Sequence, residues 1–304
     1  MPRSVLRIGT RGSALALAHA EVVRRAISDV ITHRNFELVL IATDGDSFVG
    51  PLPDVGGKAM FVREIQDALA SGKIDLAVHP AETLPARRPE QIMLAAITKR
   101  EDPREALLTR SGGGLNSLQT GTTVGTTSAR VAAQLRAMQR GLVPTPIRGN
   151  LDARLRMMSD GAVQALVVAV SGLKRLGRAD RVAEMLPITT MLPAPGQGSL
   201  AIECRSSDKN MKAALAQLDD PRSRRAFEAE RSFMLAFGEN DNLPLAALAE
   251  ADEERIRVRG LIASLDGKRV LNDQVEGEDA EKAGIELAER LRAMGADEIL
   301  AANV

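Results

Sequence analysis

"VLRIGTRGSALALAHAEVVRRAISDV", residues 5–30, decides the fold class. Val5–Thr10 reads as a short buried strand, and Ser13–Val30 reads as a helix entered through a Gly-Ser turn. The same alternation continues outward from it. "FELVLIA" (36–42) reads as a strand, "AMFVREIQDALASG" (59–72) as a helix and "IDLAVH" (74–79) as a strand. It resumes with "TTVGTT" (122–127), then the helix "SARVAAQLRAMQRG" (128–141) and the strand "VPTPIRG" (143–149). The helix "NLDARLRMMSDG" (150–161) and an apolar strand over Ala162–Val170 follow. Strands alternating with helices predict an α/β chain with largely parallel sheets. "REDPREALLTRSGGGLNS" (100–117) reads as a separator between two such blocks, its glycine triplet a surface turn. The last third differs. A helix over 221–238, strands near 247–252 and 255–264, and a closing helix over 279–296 predict an α+β domain. The expected division is a first lobe of residues 1–98 with 193–216, a second lobe of 102–190, and a C-terminal domain of 220–304.

Composition narrows the function. Lys+Arg and Asp+Glu are equal at 40 each, so summed charge gives no attraction to nucleic acid or an anionic membrane. Aromatics are 2% of the chain, with neither Trp nor Tyr, which removes the stacking platforms that single-stranded nucleic acids use. No apolar run reaches the length of a bilayer span, and the first residues lack the apolar stretch of a signal peptide. The expectation is a cytoplasmic monomer. One cysteine, Cys204, and three scattered histidines make a disulfide impossible within the chain and a metal site unexpected.

Two segments echo one another. "IGTRGSALAL" (8–17) and "VGTTSARVAA" (124–133) both run a strand into Gly-Thr, then into a serine that opens a helix. Ser13 and Ser128 read either as plain helix caps or as parts of two anion sites facing one cleft. Arg11 and Arg130 sit in those turns, and "PIRGNLDARL" adds Arg148 at a strand end and Arg154 on the next helix. A planar, permanently charged fork grips carboxylates through paired hydrogen bonds. Taken together the four arginines point to a small polycarboxylate, although any one of them could be a solvated surface residue.

At these residues the chain resembles the hydroxymethylbilane synthase (porphobilinogen deaminase) family. "LRIGTRGSALAL", "DVGGKAMFVREIQDAL", "IDLAVH", "KREDPREALL", "VGTTSAR", "IRGNLDARL", "AVSGLKRLG" and "LPAPGQGSLAIECR" carry the resemblance, in family order and spacing. It implies two hinged lobes like those of periplasmic binding proteins, with a cleft between them and a smaller α+β domain. It also implies the condensation of four porphobilinogen units into hydroxymethylbilane, with loss of ammonia at each addition, on a dipyrromethane primer held by a cysteine thioether. Carried over by position, the carboxylate binders are Arg11, Ser13, Lys58, Ser128, Arg130, Arg148 and Arg154. Asp46 and Gln197 match cleft-lining positions, and Gly56-Gly57 match a mobile covering loop or, more plainly, a tight turn.

The resemblance breaks at the chemistry. In "HPAETLP" (79–85), Thr83 stands where the family has its catalytic aspartate and Glu82 where it has a lysine. Threonine offers no carboxylate to a developing pyrrole cation. Read as extended chain, residues 82 and 83 face opposite sides, which leaves Glu82 a weak substitute. In "GENDNLP" (238–244), Asp241 stands where the primer cysteine belongs, so no thioether is expected. Cys204 in "IECR" reads as a buried structural thiol. Of the family's paired arginines only Arg130 remains, beside Val131. Two readings follow: a divergent synthase working without a thioether-linked primer, or a catalytically silent relative that binds porphobilinogen, a short pyrrole chain or another small polycarboxylate.

Overall fold

The structure, a computed structural model, describes residues 5–47, 57–85, 87–238 and 243–302. The chain opens with β1 (Val5–Thr10), α1 (Ala14–Val30), β2 (Asn35–Leu40), the single turn α2 (Asp44–Ser47), α3 (Arg63–Ala70), β3 (Leu76–Pro80) and β4 (Ile92–Ile97). It crosses over into β5 (Glu105–Thr109), β6 (Thr123–Thr126), α4 (Ala129–Ala137), β7 (Val143–Pro146), α5 (Leu151–Ser159), β8 (Ala165–Ala169), α6 (Val170–Arg175) and β9 (Glu184–Met185). It returns as β10 (Leu200–Arg205) and α7 (Lys209–Leu215). It finishes with α8 (Pro221–Ala236), β11 (Leu245–Ala251), β12 (Ile256–Ala263), β13 (Val270–Gly277), α9 (Ala280–Ala293) and α10 (Ala296–Ala301).

Two five-stranded sheets share one plan. The first has the order β2-β1-β3-β10-β4, with β1 parallel to β2 and β3 and with β10 antiparallel to both neighbours. The second has the order β7-β6-β8-β5-β9, with β6 parallel to β7 and β8 and with β5 antiparallel to β8 and β9. The central strands are covered on both faces, so they read as nearly continuous apolar runs: Leu76, Ala77, Leu166, Ala201 and Ile202 are all fully buried. The third sheet is an antiparallel meander, β11-β12-β13, with α8 and α9 on one face around Phe233, Val258 and Leu287. Two α/β lobes and a smaller α+β domain are what the alternation of elements predicted.

Several local readings need correction. The stretch taken as a separator contains β5, an internal strand of the second sheet, because Ala106, Leu107 and Leu108 supply a fully buried apolar run. Gly112 does turn the chain there, at φ +77°. Val170 begins α6 instead of ending β8. The third strand of the meander, β13, gives no clean strand pattern in sequence, because Asn272, Asp273 and Gln274 are three polar residues in a row.

Both crossovers between the lobes are locked by one ion pair. Arg100, on the outward crossover, donates from Nη1 and Nη2 to the two carboxylate oxygens of Glu230 at 2.6 and 2.7 Å. Its Nε donates to the Gln197 carbonyl of the return crossover at 2.8 Å. Glu230 is fully buried and also accepts the backbone N–H groups of Gly196 and Ala249, each at 2.6 Å. A buried carboxylate with this many donors is fully compensated, and one side chain joins both crossovers to the C-terminal domain.

Candidate functional site

The strands of both lobes run toward a cavity of about 340 Å³ that the C-terminal domain closes from below with Met234 and Leu245. Its first-lobe wall is the segment after β3. Residues 81–83 are not extended; Ala81–Thr83 form a 3₁₀ turn. The Thr83 hydroxyl donates to the Pro80 carbonyl at 2.8 Å, a local bond that holds the turn closed. Glu82 and Thr83 both line the cavity, and because they sit in a 3₁₀ turn the strict alternation of an extended chain, on which opposite faces were expected, does not apply to them. Gly196 explains how the return crossover fits behind them. It has φ +80°, and a Cβ there would lie 3.0 Å from the Ala81 carbonyl carbon and the Glu82 nitrogen. Arg100 and Arg175 lie within electrostatic range of Glu82.

The second-lobe wall is built from the starts of α4 and α5. Ser128 lines the cavity, and its hydroxyl makes no capping bond; its N–H donates to Thr126 Oγ1 at 3.1 Å. Ser13, the partner in the sequence echo, caps α1 by accepting from the Ala16 N–H at 3.3 Å, so the two serines play different parts. Arg130 is almost wholly buried and internally engaged, pairing with Glu105 on β5 and donating to the Leu192 carbonyl at 2.6 Å. Arg154, on α5, lines the same cavity, and its enclosed Nε has no partner among the described residues. Burial pushes its pKa below the usual range, and the nearby Glu105 charge offsets part of that. A shielded guanidinium with an unmet donor calls for an anion from outside the chain.

The remaining expected residues are spread around this centre. Gln197 lines the cavity, but its amide is spent on the Pro103 carbonyl at 2.8 Å. Arg11 and Asp46 bond to each other, Nε to Oδ1 at 3.0 Å, and Arg11 lies 4.5 Å over the ring of Phe61, which does line the cavity. Arg148 is half-buried at the second lobe's edge, without an ion pair or side-chain hydrogen bond among the described residues. Lys58 begins a 3₁₀ turn over Lys58–Phe61, with Gly57 at its start; the Lys58 side chain, Gly56 and Asp241 lie outside the described residues. Glu105, the acid that neutralises Arg130, was not singled out, and nothing local marks it: the pair is 25 positions apart in sequence.

Among the described residues, the ionisable groups lining the cavity are Glu82, Glu105, Arg130 and Arg154, two of each sign. Val131 completes the wall as an apolar side chain. Cys204 does not reach the cavity. It is fully buried on β10, paired with Leu76 of β3, and burial pushes its thiol up to about 11. Among the described residues, no group of three or more His, Cys, Asp or Glu is placed to hold a metal ion, and no helix is long and apolar enough to cross a membrane.

Comparison with known proteins follows the same outline. A family model for the porphobilinogen deaminase dipyrromethane-cofactor-binding domain matches residues 6–213, and one for the porphobilinogen deaminase C-terminal domain matches residues 225–293. The porphobilinogen deaminase of Syntrophus aciditrophicus is 41% identical over 289 residues, covering 94% of each chain. That of Nocardia farcinica is 44% identical over 306 residues, covering 97% of this chain and 88% of its own. Among solved structures, the methionine-binding protein MetQ superposes with a TM-score of 0.44 at 13% identity, over 71% of this chain and 89% of that one. On the family models and the two curated relatives, the chain belongs to the porphobilinogen deaminase family.

Proposed function

We propose that this chain acts on porphobilinogen in tetrapyrrole biosynthesis, as a cytoplasmic monomer, joining four units into hydroxymethylbilane with release of ammonia. In this reading the pyrrole chain is held through its carboxylates and not through a thioether. The observation that supports the proposal is that Glu82, an acidic residue in the 3₁₀ turn, is among the cavity's lining residues and adjoins the position where the family keeps its aspartate.

The residues present fit a dipyrromethane as a bound ligand. The enclosed, unpartnered Nε of Arg154 and the uncommitted hydroxyl of Ser128 suit its acetate and propionate groups. They do not fit it as a thioether, because the single cysteine is sealed inside the first sheet and position 241 is an aspartate. When bound, such a primer supplies the free pyrrole carbon to which a new unit adds. Glu82 does the work that belongs to the protein. Loss of ammonia breaks the aminomethyl C–N bond of porphobilinogen, with a proton passing to the departing nitrogen, and leaves a cationic pyrrole. A carboxylate beside that cation stabilises it in a water-poor site and accepts the proton released when the new C–C bond forms.

A second reading, binding without turnover, is favoured by one specific observation. Among the described residues the four charged groups lining the cavity cancel, which gives little net attraction to a growing chain that gains two carboxylates with every unit. Porphobilinogen consumption separates the readings. Glu82→Gln should lower the rate by about a hundredfold or more while leaving substrate affinity within about threefold, and Thr83→Ser, which keeps the hydroxyl that closes the turn, should change neither. Equal activity of wild type and Glu82→Gln would overturn the role given to Glu82.

A further inference from the structure

A second cavity, of about 670 Å³, lies between the second lobe and the outer face of the C-terminal meander. Alternation along β12 sends Arg257, Arg259 and Leu261 to this face, away from α8 and α9. The register shows why Arg259 differs from its neighbour. Arg257 stands opposite Glu276 and pairs with it at 2.6 Å. Arg259 stands opposite Gln274 on β13 and Leu248 on β11, neither of which carries charge. The guanidinium has no hydrogen bond or ion pair among the described residues, and its Nε is shut off from solvent without a partner. The one other charged residue lining the cavity among the described residues, Asp273, is engaged elsewhere, 3.8 Å from Arg290 of α9.

The rest of the lining defines what would satisfy Arg259. Asn272, Gln274, Thr189 and Thr190 offer amides and hydroxyls, while Ile188, Leu261 and Val270 are apolar. A single unmatched cation calls for a single negative charge; a phosphate dianion would leave one charge unpaired in a partly enclosed space. We propose that this cavity is a binding site for a small monocarboxylate with an apolar body, its carboxylate on Arg259. The site is separate from the interlobe cavity and does not depend on the function proposed above.

The two cavities share a wall. Leu192 and Gln134 line the second one; the Leu192 N–H donates to Gln134 Oε1 at 2.8 Å, and its carbonyl accepts from Gln134 Nε2 at 3.0 Å. The same carbonyl accepts from Arg130, which lines the first. A ligand that tightens this wall therefore acts on the residue beside Glu105.

Calorimetric titration of the full chain with benzoate, and with benzamide as its uncharged counterpart, tests the site. In the Arg154→Gln chain, where the interlobe guanidinium is removed, benzoate should still bind at one site and benzamide should not. Arg259→Gln should weaken benzoate at least tenfold, Arg259→Lys should retain part of the affinity, and Arg154→Gln should leave it within about twofold. Adding benzoate should also slow hydrogen exchange at the Arg259 Nε–H in nitrogen-15 spectra, a readout on the wild-type protein. Absence of benzoate binding, binding unchanged by Arg259→Gln with folding intact, or loss with Arg154→Gln alone would each overturn the proposal.

Discussion

Replacing Arg154 with methionine should move stability and binding in opposite directions. Arg154 is held in the cavity with an enclosed, unpartnered Nε, and burial already pushes its pKa down. A buried donor left unsatisfied costs about 1–3 kcal/mol. Methionine fills similar space without a donor, so the free protein should gain stability of that order, about 2 °C in melting temperature per kcal/mol for a chain of this length. A ligand carboxylate loses its charge-assisted bond in the variant. At about 1.5–3 kcal/mol, porphobilinogen should bind roughly ten- to a hundredfold more weakly. Far-ultraviolet circular dichroism follows the melting, since the chain has neither Trp nor Tyr to report by fluorescence. Calorimetric titration follows the binding. A variant that is less stable by more than about 1 kcal/mol, or that binds porphobilinogen as tightly as wild type, would refute the assignment of Arg154 as a site waiting for an anion.

Other consequences are equally open to test. Burial, aided by the charges of Arg175 and Arg11, lowers the His19 pKa to about 3, so it is neutral in the folded chain while the unfolded chain takes up a proton below about 6.5. Stability should therefore fall as pH drops from 6.5 towards 3, and His19→Gln should remove about 2 kcal/mol of that loss by pH 5; parallel losses in denaturant titrations of both proteins would contradict it. Cys204, with its thiol pushed up to about 11 inside the sheet, should stay unlabelled by iodoacetamide in the native protein and react once the chain is unfolded. Thr83→Asp combined with Asp241→Cys should yield a protein whose intact mass rises by one dipyrromethane after incubation with porphobilinogen. An unchanged mass from the folded double variant would mean that the scaffold has lost more than two side chains.

How much of this was legible beforehand varies with the range of the interaction. The strand–helix alternation of residues 5–79 and 122–170 depends on local periodicity and turn chemistry, and it emerges in the two lobes. Ser13 as a cap is equally local, since its partner lies three residues away. The twin serine at 128 breaks the analogy because Thr126, two residues earlier, receives its N–H. The extended reading of residues 82–83 fails because a pair of prolines says where a chain bends and not whether the bend closes into a 3₁₀ turn; the Thr83 hydroxyl bond and the close approach of Gly196 belong to that closure. Arg130 and Arg154 read alike in sequence, both near the start of a helix. Only the fold brings Glu105 to the first and leaves the second unpaired. The Arg100–Glu230 lock joins residues 130 positions apart, and no pattern within one element announces it.

The most direct test of a synthase that works without a thioether uses one incubation and two readouts. Purified protein is mixed with excess porphobilinogen; part is acidified, oxidised and measured for porphyrin absorbance, and part is denatured for intact mass. The expected result is uroporphyrin in many-fold excess over protein, with the mass of the bare chain. Absence of uroporphyrin from a folded sample, or a chain carrying a covalent pyrrole adduct, would contradict it.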